Sequence, residues 1–317
     1  MADEVLAAGT IVRWAQPNTG VRLDLTPPAS RYNFMLIVPQ SGTEAVLEGR
    51  CRELGVPISR GAAVTGLRQS GDGVELDVEN GSGRRVEHAS YVVGCDGAHS
   101  SVREQVGARF VGKRYDVTLD LADVRLDHPP QDALFGQANT HGIQLLVPFG
   151  DGFHRSISFR HGSGLTDQPP TLVEVAEVSE MITGTDFGVT ELRWSSRFKS
   201  ERRQAEHYRY GRVLLAGDAA HVHSPAGAQG MNTGIGDAMN LGWKLAATLR
   251  GTAPSWLLDS FESERHPVGR NVLANTDRMF RMVMIRSGLV QGAARLAMKQ
   301  ALRIPRAQNE ARGVLSG

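Results

Sequence analysis

Apolar positions alternate in short runs through the middle of this chain and recur at helical spacing on either side, so the pattern predicts a sheet flanked by strand-and-helix units. Val213, Leu214, Leu215 and Ala216 stand in a row, as in a strand buried on both faces, and Gly217-Asp218 ends that strand at the carboxyl edge of its sheet. Open α/β sheets bind ligands at this edge. The next segment carries Pro225, Gly227, Gly230, Gly234 and Gly236, glycines too closely spaced for a good helix but suited to bringing backbone amides near a flat ligand. From Asp237 the spacing becomes helical through Ala238, Leu241, Leu245 and Leu249, and Gly251 suits the helix end.

The same order of pattern recurs upstream. Tyr91-Val-Val-Gly-Cys-Asp-Gly-Ala-His-Ser-Ser-Val-Arg103 reads as an apolar strand, a tight Asp96-Gly97 turn, and a helix that Ser100 or Ser101 caps. Earlier still, Ser41 and Glu44 predict a capping box, with Gln40 just before the helix and Leu47, Cys51 and Leu54 on one apolar face before Gly55. Between about Gly112 and Phe198, the runs Val117 to Leu126, Ile143 to Val147, Phe153 to Phe159 and Thr190 to Phe198 read as strands. Only Thr171 to Ile182 has helical spacing there. In residues 1 to 34, Arg13, Trp14, Val21, Leu23 and Leu25 predict a hairpin on the same side as that sheet. Near the carboxyl end, Arg278, Arg281, Arg286, Arg295, Lys299, Arg303 and Arg306 interleave with Met282, Leu289, Leu296 and Leu302. This basic amphipathic pattern suits a helix packed on the protein body better than one on a membrane surface.

Composition narrows the classes. With 317 residues and 41% hydrophobic content the chain has enough apolar material for a buried core. Lys plus Arg number 35 against 34 Asp plus Glu, a net charge of +1 that gives no electrostatic reason to expect nucleic acid. Two cysteines, Cys51 and Cys95, read as small buried hydrophobes in a reducing compartment. No signal peptide or long apolar run occurs, so the expected location is the cytoplasm with no membrane span. His221 and His223 lie near Asp218 but lack Cys or Glu at a familiar ligand spacing, and no metal site is expected. Gly-x-Ser-x-Gly and P-loop signatures are absent.

The run from Arg212 to Ala246 resembles the second flavin-binding signature of the FAD-dependent aromatic hydroxylases, the group A flavoprotein monooxygenases related to p-hydroxybenzoate hydroxylase. Within that family it is most similar to the branch acting on polyketides and rifampicin. The resemblance implies that Asp218, with Gly217, binds the ribityl chain of FAD. It places Pro225, Gly227, Gln229, Gly230, Met231 and Asn232 along the isoalloxazine ring, and makes Pro225, through its carbonyl, the candidate to face the reacting ring. The Asp-Gly stretch resembles a family motif serving both FAD and the nicotinamide donor, which implies cofactor roles for Asp96, Gly97 and Arg103. Gln40 takes the place of a glutamine that touches the flavin chain, with an ordinary polar residue before a helix as the alternative. Glu262-Ser-Glu-Arg-His-Pro-Val-Gly-Arg270 resembles a later family segment with a structural part and no chemistry. The implied reaction is hydroxylation of an aromatic substrate by a flavin C4a-hydroperoxide, formed with O2 after NAD(P)H reduces FAD. The phenol-activating tyrosines of small-phenol hydroxylases have no match, so a bulky polyketide-like ring is expected. His141, Arg155 and Arg197 are candidates to face it, a surface role being favoured for each.

The implied fold is α/β with an α+β substrate part: an incomplete FAD/NAD(P)-binding Rossmann-like domain, an inserted mostly antiparallel β-sheet substrate domain, and C-terminal helices. Residues 1–34 are assigned to substrate-side strands, 35–110 and 206–252 to the FAD-binding domain, 111–205 to the substrate domain, and 253–317 to a C-terminal helical region. The Gly-x-Gly-x-x-Gly turn that opens such enzymes is not found, since Gly71-Asp-Gly73, Gly81-Ser-Gly83 and Gly234-Ile-Gly236 lack the third glycine. A thioredoxin-like carboxyl-terminal domain of larger relatives is not found either. The chain thus reads as the central part of an enzyme: a truncated reading frame, a fragment, or half of a split protein whose partner chain supplies the ADP-binding unit. A non-catalytic remnant of the fold is the alternative to a working hydroxylase.

Overall fold

The computed structural model describes residues 1–15, 23–26, 31–130, 134–161, 168–223, 229–283, 288–301 and 304. In chain order the first elements are α1 (Ala2–Ala7), β1 (Thr10–Val12), β2 (Trp14–Ala15), β3 (Leu23–Asp24), β4 (Met35–Ile37) and α2 (Gln40–Glu53). There follow β5 (Ala63–Gln69), β6 (Val74–Asn80), β7 (Gly83–Ala89), β8 (Val92–Gly94), α3 (Ser101–Gln105), β9 (Phe110–Leu126), β10 (Phe135–Ala138), β11 (Gly142–Pro148) and β12 (Phe153–His161). The remainder comprises α4 (Leu172–Thr183), β13 (Val189–Ala205), β14 (Arg209–Tyr210), β15 (Val213–Leu215), β16 (His221–Val222), α5 (Gly230–Leu249), α6 (Asp259–Val283) and α7 (Gly288–Ala301).

Two compact units share these elements. The first comprises Met1–Ile58, Asp116–Ser200 and Arg281–Ser316; the second comprises Ser59–Tyr115, Glu201–Phe280 and Gly317. In the first unit β10, β11, β12 and β9 pair antiparallel in that spatial order. Helix α4 packs on this sheet, where Val175 joins Ala122, Val124, Leu126, Leu146 and Phe187 in one apolar cluster. The helix starts where the sequence dictates: Thr171 Oγ1 accepts from the Glu174 amide at 3.3 Å and Glu174 Oε2 accepts from the Thr171 amide at 2.9 Å. Gly184, at φ +83, stops it. Strands β2 and β3 form the expected hairpin, and Val12, Ala15 and Leu25 are buried beside it.

Helix α2 departs from the capping-box expectation. Pro39 occupies the N-cap, Gln40 is the first helical residue, and Glu44 accepts from Gln40 Nε2 at 2.7 Å instead of turning back to Ser41. Its anticipated apolar face is not buried: Leu47 and Leu54 are exposed and Cys51 is half-buried. Cys95 is likewise exposed, one residue past the end of β8.

In the second unit β15 runs parallel to β8, with β14 antiparallel on its other side. The three β15 residues are wholly buried and pack with Val102, Tyr208, Leu241, Leu258 and Phe261. Strands β5, β6 and β7 form a separate antiparallel meander that the apolar pattern does not predict. Helix α5 begins at Gly230, not at Asp237, so Gly234 and Gly236 lie within it. Tertiary contact overrides glycine's weak propensity here. Its buried stripe is Thr233, Asp237, Leu241 and Lys244, while Ala238 and Leu249 of the anticipated stripe are exposed. Gly251, at φ +69, closes the helix as expected.

Candidate functional site

Strands β8 and β15 lie side by side, Leu215 opposite Gly94, and the Ala216 amide donates to the Gly94 carbonyl at 3.0 Å. Both strands therefore deliver an Asp-containing turn to one carboxyl edge. After β15, Gly217 adopts φ +60 and a 3-10 turn runs through Ala219, closed by the Ala220 amide on the Gly217 carbonyl at 2.9 Å. Asp218 stands exposed on this turn, and among the described residues its carboxylate has no protein hydrogen-bond partner. After β8, Gly97 adopts φ +83 and Ser100 caps α3 by accepting from the Arg103 amide at 2.9 Å.

The second aspartate is engaged differently. Asp96 accepts from the Ser100 and Ser101 hydroxyls and, at 3.0 Å, from the Val102 amide. Burial pushes its carboxyl up, yet these hydrogen bonds outweigh burial and hold it below the usual range. Arg103 is buried, its guanidinium over the Phe110 ring at 3.8 Å. It donates from Nη1 to the Ala219 carbonyl at 3.1 Å and from Nη2 to the Ala98 carbonyl at 2.8 Å. One side chain thus stitches the two turns together. Gly217, Asp218, Asp96, Gly97 and Arg103, from two distant stretches of sequence, form one locus.

Helix α5 starts beside it. Gln229 is at the N-cap position, and Gly230, Met231 and Asn232 form the first turn, with Met231 and Asn232 exposed. First-turn amides lack intrahelical acceptors, and this end of the helix carries partial positive charge. The turn and the helix touch at two glycines: a Cβ on Gly234 would lie 3.3 Å from the Gly217 Cα. Pro225 and Gly227 lie outside the described residues.

Three residues to which the sequence pattern gives no site role complete the locus. Asp237, fully buried, accepts from the Gly217 amide at 3.0 Å and Arg265 Nε at 2.7 Å, and lies 2.7 Å from His221 Nε2. Burial raises its pKa, but the bonds from His221, Arg265 and Gly217 prevail and hold it below the usual carboxylate range. A charged residue at the i+4 position between Thr233 and Leu241 is the signal in the sequence, masked when only apolar positions mark the buried face. Arg265 reaches Asp237 past Gly236, where a Cβ would come within 2.9 Å of its Nη2.

Gln40 belongs to the first unit and lines a cavity of about 600 Å³ there, with Pro39, Asp123, Arg155, Arg193 and Trp194. Arg155 is half-buried: Asp123 holds it at 2.7 and 3.0 Å, and its guanidinium lies 5.0 Å from the Trp194 ring. Arg197 is buried on Asp120 at 2.6 Å, away from that cavity's lining, and His141 is exposed.

The donor set of the second unit fits the flavin that the resemblance implies. A carboxylate without partners among the described residues suits a polyol, a helix N-terminus suits electron-rich edges, and adjoining glycines keep the backbone open to a flat ring. A family model described as FAD binding domain matches residues 2–276. The protein from Bacillus subtilis (strain 168) named uncharacterized aromatic compound monooxygenase YhjG is 42% identical over 265 residues, which cover 83% of this chain and 53% of that protein. Anhydrotetracycline monooxygenase of Streptomyces rimosus is 41% identical over 268 residues, covering 81% and 53%. Among solved structures, OxyS anhydrotetracycline hydroxylase from Streptomyces rimosus superposes with a TM-score of 0.85 at 37% identity, over 99% of this chain and 64% of that one. The chain spans about half the length of these curated relatives.

Proposed function

The chain belongs to the FAD binding domain family, and from that premise we propose that it serves an FAD-dependent monooxygenase hydroxylating an aromatic, polyketide-like substrate with NAD(P)H and O2. The observation that carries this reading is the exposed Asp218 carboxylate, without a hydrogen-bond partner among the described residues, at the end of a wholly buried strand. Ribityl hydroxyls are donors of the kind it lacks. Bound FAD would supply the redox chemistry, taking electrons from the nicotinamide donor and activating oxygen.

The chain's own residues bind and orient. Asp218 accepts from the flavin chain, while the first-turn amides around Gly230, Met231 and Asn232 stabilise negative charge on the ring. Asp96, Gly97 and Arg103 fix the second turn at the same edge, and Pro225, Gly227 and Gln229 are assigned to the ring's border. Gln40 is assigned to the flavin chain, and the sheet of residues 111–205 to the substrate. A polycyclic ring is favoured because the sequence and the solved structure from Streptomyces rimosus that match this chain are both named for anhydrotetracycline oxidation. The cytoplasm, where NAD(P)H is supplied, is the location this reading requires. Among the described residues no helix is long and apolar enough to cross a membrane.

The test is to titrate the purified chain with FAD, measure bound flavin, and follow NADPH oxidation on adding a polycyclic phenol. Retained flavin that Asp218→Ala weakens by about tenfold, the worth of one hydrogen bond to a charged group, supports the site. No bound flavin at high FAD overturns it. Flavin retention without substrate-stimulated oxidation selects the alternative, a flavin-fold chain that does not turn over by itself.

A further inference from the structure

We propose that Asp237 is a positioning residue: it acts through the backbone of Gly217 to set Asp218 for its ligand, with His221 and Arg265 holding its carboxylate. The inference rests on the FAD reading of the Asp218 locus and adds three residues that this reading leaves without a role.

The geometry is that of a clamp. Asp237 Oδ2 takes both the Gly217 amide and His221 Nε2, and Oδ1 takes Arg265 Nε. A carboxylate bonded by a histidine nitrogen requires the proton on Nε2, so His221 is held as the Nε2–H donor. Arg265 is itself fixed by a second bond from Nη2 to the Thr233 carbonyl at 3.2 Å, one turn earlier on α5. Thus α6, through Arg265, and β16, through His221, converge on one buried carboxylate of α5, and its remaining bond goes to the residue before Asp218.

Gly217 contributes no side chain, adopts φ +60, and lies against α5 at Gly234, where a Cβ on Gly217 would come 3.9 Å from the Gly234 Cα. Arg103 restrains the far side of the turn at the Ala219 carbonyl. Asp218 lies between the two restraints and spends none of its own acceptor capacity on either. A buried ion pair is weak ground for expecting added stability, since desolvation offsets much of the attraction. A positioning part accounts for the one bond that a purely packing role would not need.

The substitution Asp237→Asn keeps the volume but loses acceptor capacity, so one of its three partners is left unsatisfied. The control is Asp277→Asn in the same unit, which loosens Tyr115 and Arg202 without touching the turn. Two measurements are made on the full chain: amide hydrogen exchange in the absence of ligand, and FAD affinity by titration. The expected result is that Asp237→Asn speeds exchange at the Gly217 amide by about tenfold and weakens FAD binding by about tenfold, while Asp277→Asn changes neither by more than about twofold. Because Asp237 acts through Asp218, the double variant with Asp218→Ala should bind FAD no more weakly than Asp218→Ala alone.

Unchanged Gly217 exchange, or additive losses in the double variant, would overturn the proposal. A wild-type chain that binds no FAD overturns the functional reading instead, while the exchange measurement still decides whether Asp237 holds the turn. If Asp237→Asn fails to fold, His221→Asn and Arg265→Lys, which leave the carboxylate in place, carry the same two measurements.

Discussion

Two buried aspartates, one in each unit, do opposite things with the same chemistry. In the first unit Asp120 accepts from Arg160 and from Arg197, and Arg197 passes on to Glu174 in the first turn of α4 at 3.2 Å. Its carboxylate is spent on these side chains, and the network lies between a sheet and the helix packed on it. In the second unit Asp237 also holds an arginine, but it spends an equal bond on the backbone amide of Gly217, beside the Asp218 carboxylate that no other described residue engages. The difference teaches how to separate architecture from a site. A buried carboxylate that fixes side chains closes an interior, whereas one that fixes backbone next to a free acceptor prepares that acceptor for a ligand.

The sharpest way to break this contrast is Asp120→Asn. Arg197 has a side chain only 2% exposed and would lose one charged partner inside the unit, with Glu174 at 3.2 Å remaining. Breaking a buried pair on one side costs about 3 to 5 kcal/mol. Denaturant unfolding should show that loss, larger than for any other change considered, and the folded fraction should keep its FAD affinity within about twofold. A tenfold loss of FAD affinity in folded Asp120→Asn would erase the distinction between the two aspartates.

A smaller effect sharpens the same contrast within one helix. Gly242 of α5 has open space within 4 Å of where a Cβ would stand, so Gly242→Ala should stabilise by about 1 kcal/mol through helix propensity. Gly234→Ala gains the same propensity but sets a methyl 3.3 Å from the Gly217 Cα, where overpacking costs about 1 to 3 kcal/mol. The paired melts should therefore differ in sign or nearly so, and only Gly234→Ala should weaken FAD binding, by severalfold. Equal stabilisation by both would show that the turn does not rest on the helix at Gly234.

The closely spaced glycines explain which features are legible in the sequence and which are not. Their link to a ligand-binding turn is legible, but by propensity alone they argue against a helix. In the structure Gly234 admits Gly217 and Gly236 admits Arg265, contacts between positions 17 and 29 residues apart that no local pattern encodes. Strands β9, β11, β12 and β13 and helix α4 are legible because alternation and the helical spacing of Thr171 to Ile182 are local signals. The β5–β7 meander is not, because β5 and β7 are largely exposed and their pairing runs through charges such as Arg68 with Asp77 and Arg84 with Glu79. Gly71 and Gly73, too few for a phosphate loop, belong to its first hairpin, where the Ser70 amide donates to the Gly73 carbonyl at 2.9 Å. Asp237 looks like a helix start for the same reason that Lys244 escapes notice: apolar periodicity has no place for buried charge.

The smallest effect lies near the surface of the second unit, where the half-buried Glu262 repeats the carboxylate-to-backbone motif. Its Oε2 accepts from the Tyr208 and Arg209 amides at 2.8 and 3.1 Å, and Oε1 lies 2.9 Å from His207 Nδ1. The hydrogen bond to Glu262, followed by the attraction of its charge, pushes the His207 pKa above its ordinary 6.5. A raised histidine contributes stability that is fully present below pH about 6.5 and is lost as pH rises through the folded value. Because His207 is 58% exposed at its side chain, solvent screening holds the effect under about 1 kcal/mol. Melting curves should show a shallow fall in stability on going upward from pH about 6.5 that His207→Gln removes, with FAD affinity unchanged, since the two backbone bonds of Glu262 remain. If His207→Gln instead weakened FAD binding as Asp237→Asn is expected to, a histidine holding the half-buried Glu262 would count as much as one holding the buried Asp237, and full burial would no longer mark the positioning residue.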